Sequence, residues 1–324
     1  MPEAIVTDHI FDPLDVEQAI LQSHGITLVG YQCKIPEQLL PVVADAAAVI
    51  TQFAQINAHV IAAMKNAKVI VRYGIGVDNV DLDAAREHGI PVCNVPDYCI
   101  DEVADHTLAF ILALTRQVVT NCLQVRAGKW SLGVPLAEMR ALRDQTIGVV
   151  GFGRIGREVV RRLLAFHAAV RVFDPIVNAA DIEKAGAMPA ASLDELLSNC
   201  DVLTLHCPST AGTRRMISDK TLASMKPGAI LINLARGDLV DTQALVSALK
   251  NGHISAAALD VCDPEPLPPG HPLALMPNVI IAPHIASASP KAVKRLRETV
   301  ANTVVCTLRG ELPPNIVNGV DKSR

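Results

Sequence analysis

The feature that most constrains this chain is an alternation of short β-branched runs with helical stretches, repeated as two series on either side of one long apolar-periodic segment. In the first series AIVTD, ITLVGY, AAVIT, KVIVRY and PVCNV alternate with DVEQAILQSHG, PEQLLPVVAD, NAHVIAAMKN and DLDAAREHG. Strands that follow one another through helices pair in parallel, because a parallel return needs a crossover of about a dozen residues or more. From Asp101 the pattern becomes EVADHTLAFILALTRQVVTNCLQVRAG, too long for a crossover and suited to one bridging helix into a second domain.

The second series runs through TIGVV, VRVFD, DVLTLHCP, AILINLA, SAAALDV and VIIAPHI, with helices expected near 193–198, 218–225 and 242–250. A helical stretch from about Pro290 to Leu308 and an extended PPNIVNGV are expected to return to the first domain, since the second sheet is complete by Ile285. The expected class is therefore α/β, with two doubly wound parallel-sheet domains: residues 101–289 are inserted into a discontinuous domain of 1–100 plus 290–324. The length of 324 residues suits two such domains. Two crossings would form a hinge beside a cleft, where ligands tend to bind.

Composition narrows the function classes. Half the residues are hydrophobic, yet no apolar run approaches the ~20 residues of a membrane span, so no membrane partner is expected. The N-terminus MPEAIVTDHI has neither the basic start nor the apolar stretch of a secretory signal, which makes the cytoplasm the expected location. The eight cysteines show no C-x-x-C or Cys/His knuckle spacing and are expected to be reduced, mostly buried thiols without a metal. With a net charge of −4 and scattered basic residues, no nucleic-acid partner is expected.

Gly151-Phe-Gly153-Arg-Ile-Gly156 follows the apolar strand TIGVV and opens the helix REVVRRLLAF, the context that gives a G-x-G-x-x-G pattern its meaning. Gly151 permits a tight turn, Gly153 lets the backbone approach a pyrophosphate, and Gly156 lets helix and strand pack closely, with the helix N-terminus supplying N–H donors. The next strand ends at Asp174, where a carboxylate would accept hydrogen bonds from an adenosine ribose. A 2′-phosphate would meet that charge, and Pro175 stands where an NADP enzyme would want an Arg, so the expected cofactor is NAD. A solvated strand-end Asp is the alternative.

Three polar residues fall at strand ends of the second series: Arg236 in NLARGD, Glu265 in DVCDPEP and His284 in APHI. Reduction of a 2-keto acid needs these types, namely an acid that protonates the carbonyl oxygen, a carboxylate that stabilises the imidazolium, and a fork that holds the substrate carboxylate. Singly, each has a plainer reading as a surface charge, part of a Pro-rich turn, and a strand-end histidine. Together, and with VRYGIGVDNVDL (71–82), VCNVPDYCIDEVADHTLA (92–109), LHCPST (205–210), LINLARGDLVD (231–241), ALDVCDPEPLP (258–268) and APHIAS (282–287), they resemble the D-isomer-specific 2-hydroxyacid dehydrogenases. That family includes phosphoglycerate dehydrogenases, glyoxylate/hydroxypyruvate reductases and the C-terminal-binding-protein corepressors.

The resemblance implies a Rossmann NAD-binding domain inserted into a flavodoxin-like substrate domain, and hydride exchange between NADH and a small 2-keto or 2-hydroxy acid. It further implies that Arg236 binds substrate, that His284 is the acid/base with Glu265 as its partner in a buried charged pair, and that main-chain N–H groups near Gly76 and Val77 hold the substrate carboxylate. Without the family, Gly74 and Gly76 read as turn glycines. Arg154 and Ile155 would contact the pyrophosphate, and Cys207, Pro208, Thr213, Leu234, Ala235 and Asp260 would line the nucleotide and nicotinamide pocket. The stretch from about Arg116 to Leu142, with Trp130, looks like the arm by which members form homodimers. Cys99 stands where many relatives carry Asn or Ser, and Ala286 where Gly often follows the catalytic His, which leaves the substrate open. Arg72 could hold a substrate phosphate. The alternative reading is an NAD-responsive corepressor-like interaction protein.

Overall fold

Strand β1 (Glu3–Val6) shows how the first unit is built, with Ala4 and Val6 in one apolar layer and Ile5 in the other. Burial on both faces is what a parallel sheet covered by crossover helices requires. The computed structural model describes residues 1–321, and contacts divide the chain into two units, Met1–Tyr98 with the chain from Ser289 onward, and Cys99–Ala288. In the first unit β1 is followed by α1 (Asp15–Gln22), β2 (Thr27–Gly30), α2 (Pro36–Val43), β3 (Ala48–Thr51), α3 (Ala58–Ala63), β4 (Ile70–Arg72), α4 (Leu82–Glu87) and β5 (Val92–Cys93). Its five strands are all parallel in the order β2-β1-β3-β4-β5, the doubly wound order of flavodoxin-like sheets.

The second unit contains α5 (Ile100–Thr115), α6 (Val118–Arg126), β6 (Thr146–Val150), α7 (Arg154–Ala165), β7 (Ala169–Phe173), α8 (Ala179–Lys184), β8 (Met188–Pro189), α9 (Leu193–Asn199) and β9 (Val202–Leu205). It continues with α10 (Asp219–Ser224), β10 (Ala229–Asn233), α11 (Thr242–Lys250), β11 (Ile254–Leu259), α12 (Pro272–Leu275) and β12 (Val279–Ile281). The seven parallel strands run β8-β7-β6-β9-β10-β11-β12, so the winding reverses between β6 and β9, as in a Rossmann sheet with one strand added. Ligands of such sheets bind beyond the carboxyl ends of the strands at that reversal.

Helix α13 (Pro290–Leu308) belongs to the first unit. Ser289 caps it by accepting the Ala292 N–H at 3.0 Å, and Pro290 occupies its first turn, where a missing N–H costs nothing. Leu296, Val300 and Val304 pack into the layer that holds Ala4, Val6 and Ile50. Beyond the helix, Ile316 bridges antiparallel to Cys93, and the Asn318 side chain bonds Ile90 O and Val92 N–H, which covers the edge of β5.

Three expectations need correction. The segment after Asp101 is two helices bent by 61°, with Gln117 left-handed at the break. The apolar face of α5 buries eight residues in its unit, whereas α6 buries none, so the chain turns away from the core once Thr115 has been placed. No single helix among the described residues is long and apolar enough to cross a membrane. The short α8, β8 and α12 were not legible from periodicity, being too short to show one. All eight cysteines are free, but only Cys93, Cys99 and Cys200 are buried and Cys122 is exposed.

Candidate active site

The glycine loop sits at the reversal of the second sheet. Gly151 has φ +94°, and a Cβ on it would lie 2.8 Å from the backbone of His206, so the loops after β6 and β9 touch there. Gly156 is equally confined, since a Cβ would lie 2.1 Å from Gly151 O. Gly153 is different: a Cβ there would meet nothing within 4 Å, which leaves open space directly before α7. The N–H groups of Arg154 and Ile155 at the start of that helix have no hydrogen-bond partner among the described residues. Close packing on two sides, an open third side and free N–H donors at a helix N-terminus fit a pyrophosphate.

Asp174 directly follows β7 beside this loop. Its carboxylate accepts the N–H groups of Phe152 at 2.7 Å, Ile176 at 2.8 Å and Val177 at 3.0 Å. Burial on its own raises the acid, but these three bonds and the charge of Arg157 outweigh it and hold the carboxyl below its usual range. Two carboxylate oxygens offer about four acceptor sites, so one remains for a ribose hydroxyl. Ile176, two residues past Asp174, is 91% exposed.

The remaining candidates cluster at the carboxyl ends of β9, β10, β11 and β12. After β9, Thr213 Oγ donates to Pro208 O at 2.7 Å and accepts from Thr210 N–H at 2.8 Å, which fixes the turn that starts at Cys207. Burial pushes the Cys207 thiol up to about 11, so it is neutral. After β10, the buried Asn233 side chain takes Ala235 N–H at 3.0 Å and donates to Arg236 O at 2.8 Å, and so shapes the run Leu234–Arg236. After β11, Asp260 is 2% exposed and its carboxylate accepts Ile285 N–H at 2.8 Å and Ala286 N–H at 3.0 Å. Its main-chain O accepts His284 N–H at 2.8 Å, and His284 itself has φ +55°. Asp260 therefore shapes the turn that presents the histidine.

His284 Nδ1 lies 2.6 Å from Glu265 Oε1, and Glu265 Oε2 accepts the Cys262 N–H at 3.3 Å. Burial alone would raise the Glu265 carboxyl, but the hydrogen bond and charge of His284, with Cys262 N–H and Arg236, hold it below the usual carboxylate range. The structure thus brings Arg236, Glu265 and His284 together. It corrects one expectation, because the His284 and Glu265 side chains are 32% and 38% exposed in this chain and do not form a buried pair. The reason is local: both stand on loops past the strand ends, above the sheet's core. Among the described residues no three His, Cys, Asp or Glu side chains form a metal site.

In the first unit, Gly76 and Val77 follow β4. The loop is held by its carbonyls, with Gly74 O accepting Val95 N–H at 2.9 Å and Ile75 O accepting Asn94 Nδ2 at 2.6 Å. The N–H groups of Gly76 and Val77 have no partner among the described residues, so this turn is an anion acceptor in form. Asn94, which no motif singled out, is one of its supports. Gly74 has φ +143° and lies under the Arg72 guanidinium, whose Nη1 would be 1.5 Å from any Cβ there.

The family model described as D-isomer specific 2-hydroxyacid dehydrogenase, NAD binding domain, matches residues 108–286. A glyoxylate reductase of Thermofilum pendens is 41% identical over 286 residues, which cover 87% of this chain and 84% of that protein. A D-3-phosphoglycerate dehydrogenase of Mycobacterium bovis is 38% identical over 283 residues, covering 87% of this chain and 53% of that longer protein. The solved structure of a D-lactate dehydrogenase from Aquifex aeolicus, complexed with NAD and lactic acid, matches with a TM-score of 0.89 at 31% identity over 98% of this chain and 99% of that one.

Proposed function

Because the chain belongs to the D-isomer specific 2-hydroxyacid dehydrogenase family, as an NAD-dependent oxidoreductase acting on a CH–OH group, we propose that it reduces a short 2-keto acid of glyoxylate or hydroxypyruvate size. The observation that carries this reading is the 2.6 Å contact of His284 Nδ1 with Glu265 Oε1 beside Arg236, at the strand ends of the sheet that bears the glycine loop. NADH, when bound, supplies the hydride that reaches the carbonyl carbon. His284 gives a proton from Nε2 to the carbonyl oxygen as charge builds there, while Glu265 orients the ring through Nδ1 and stabilises its charged form. Arg236 clamps the substrate carboxylate and polarises the carbonyl, and the N–H groups of Gly76 and Val77 would donate hydrogen bonds to a substrate carboxylate.

Gly151, Gly153, Arg154, Ile155 and Gly156 would hold the pyrophosphate and Asp174 the ribose, with Cys207, Pro208, Thr213, Leu234 and Ala235 as the cofactor wall. Asp260, its carboxylate engaged by Ile285 and Ala286, would act through the His284 turn. A second reading, reduction of 3-phosphohydroxypyruvate, is favoured by the Arg72 guanidinium beside Gly74. The corepressor reading draws no support from the enzymes found as relatives. A homodimer through α6 and residues 128–141 is supported by exposed Val118, Leu123, Leu136 and Trp130.

The test is NADH oxidation with glyoxylate, hydroxypyruvate, pyruvate and 3-phosphohydroxypyruvate, in wild-type protein and Arg72→Met. Turnover of an unphosphorylated acid by both proteins is expected. No turnover of any of the four would end the proposal, and a phosphorylated preference abolished in Arg72→Met would establish the second reading.

A further inference from the structure

We propose that Asp238 is a positioning residue that ties the cofactor wall at 207–215 to the turn carrying Arg236, so that cofactor and keto acid are held in register; this rests on the roles proposed above for Arg236 and that wall. Asp238 stands in the tight turn Gly237–Leu239, two residues past Arg236. Its Oδ2 accepts Ser209 Oγ–H at 2.7 Å and Arg214 Nε–H at 3.1 Å, and its main-chain O accepts Arg215 N–H at 2.7 Å. The seam continues with Ile217 N–H donating to Leu239 O at 3.0 Å and Asp241 N–H donating to Ile217 O at 2.7 Å.

The other flank of the same turn is fixed by contact. A Cβ on Gly237 would lie 1.9 Å from Cys262 O, and the segment after Cys262 carries Glu265. Arg236 thus stands beside Gly237, which is packed against the segment that carries Glu265, and is followed by Asp238, which grips the cofactor wall. The wall transmits that grip because the Thr213 hydroxyl, bonded to Pro208 O and Thr210 N–H, braces the turn from which Ser209 and Arg214 project. Asp238 and Arg214 are 29% and 65% exposed, so their attraction is screened and its value lies in orientation. Orientation matters here because reacting atoms must lie ~3–3.5 Å apart, and a misplacement of ~1 Å can cost ~100-fold in rate.

Asp238 Oδ1 is buried without a hydrogen-bond partner among the described residues, which makes Asn a usable control. In Asp238→Asn the amide oxygen can replace Oδ2 and keep both Ser209 and Arg214, while the amide nitrogen replaces an oxygen that had no bond to lose. Steady-state reduction of the best 2-keto acid is to be measured at saturating NADH in wild-type, Asp238→Ala, Asp238→Asn and Ser209→Ala/Asp238→Ala proteins, with NADH affinity by fluorescence titration and thermal midpoints alongside. Asp238→Ala is expected to lower kcat/KM by ~10- to 100-fold, the range that a misplacement of up to ~1 Å costs. NADH affinity and midpoint stay nearly unchanged, Asn restores most of the loss, and the double variant is no worse than Asp238→Ala. Unchanged kcat/KM in Asp238→Ala overturns the proposal, as does a loss matched by falling NADH affinity and midpoint with no rescue by Asn. A wild-type protein that reduces no 2-keto acid would fail the functional reading and take this inference with it, whereas an active wild-type with an indifferent Asp238→Ala fails the inference alone.

Discussion

At the scale of single residues, Glu265 engages His284 Nδ1, and the proposed mechanism assigns the proton exchange to Nε2. His284→Ala should lower turnover by ~10²–10⁴-fold with NADH affinity unchanged, because a general acid acts only in the transition state. Surviving turnover would require a different donor. Glu265 yields a pH prediction, since its folded carboxyl is held below its usual range. A group lowered in this way contributes fully to stability above its unfolded pKa, about 4.3, and loses that contribution as the pH falls through the lower folded value. The gap in thermal midpoint between wild-type and Glu265→Gln should therefore narrow on acidification below about pH 4.3. A gap that widened there would remove the ion pair.

At the scale of elements, the strand–loop–helix unit β6–α7 separates folding from binding. Gly156→Ala should destabilise by ~1–3 kcal/mol, since its methyl group would overlap Gly151 O. Gly153→Ala meets open space at an ordinary φ of −72° and should fold with a near wild-type midpoint, yet weaken NADH about tenfold or more by filling the pyrophosphate approach. Equal loss of stability in both variants would refute this division. In the proposed site, the Asp174 carboxylate after β7, bonded by three N–H donors, should favour NADH over NADPH. Like charges about 4 Å apart repel by ~1–4 kcal/mol in a partly solvated site, so the preference should be about tenfold or more. Equal efficiency with NADPH would remove Asp174 as the ribose anchor.

At the scale of the whole molecule, α6 and the stretch after it expose Val118, Leu123, Leu136 and Trp130, the last 91% accessible. The partner proposed for these side chains is a second copy of the chain. Leu123→Asp with Leu136→Asp should convert a dimer to a monomer in sedimentation velocity, and a wild-type protein already monomeric would refute it. The amino-acid sequence by itself determined the α/β class, both strand–helix series and the glycine loop with its cofactor, because apolar periodicity and the placement of glycines are local properties, whereas the flavodoxin-like and Rossmann windings came only with the family resemblance. It marked Arg236, Glu265 and His284 only as residue types at strand ends. Tertiary structure decided that Glu265 Oε1 meets His284 Nδ1, that the Asp260 carboxylate turns to Ile285 and Ala286, that the helix breaks at Gln117, and that Asp238 reaches Ser209 and Arg214. Each of these depends on which loops the sheet order sets side by side or on how much of a helix the core can cover, and long-range packing fixes both, where no local pattern of residues records them.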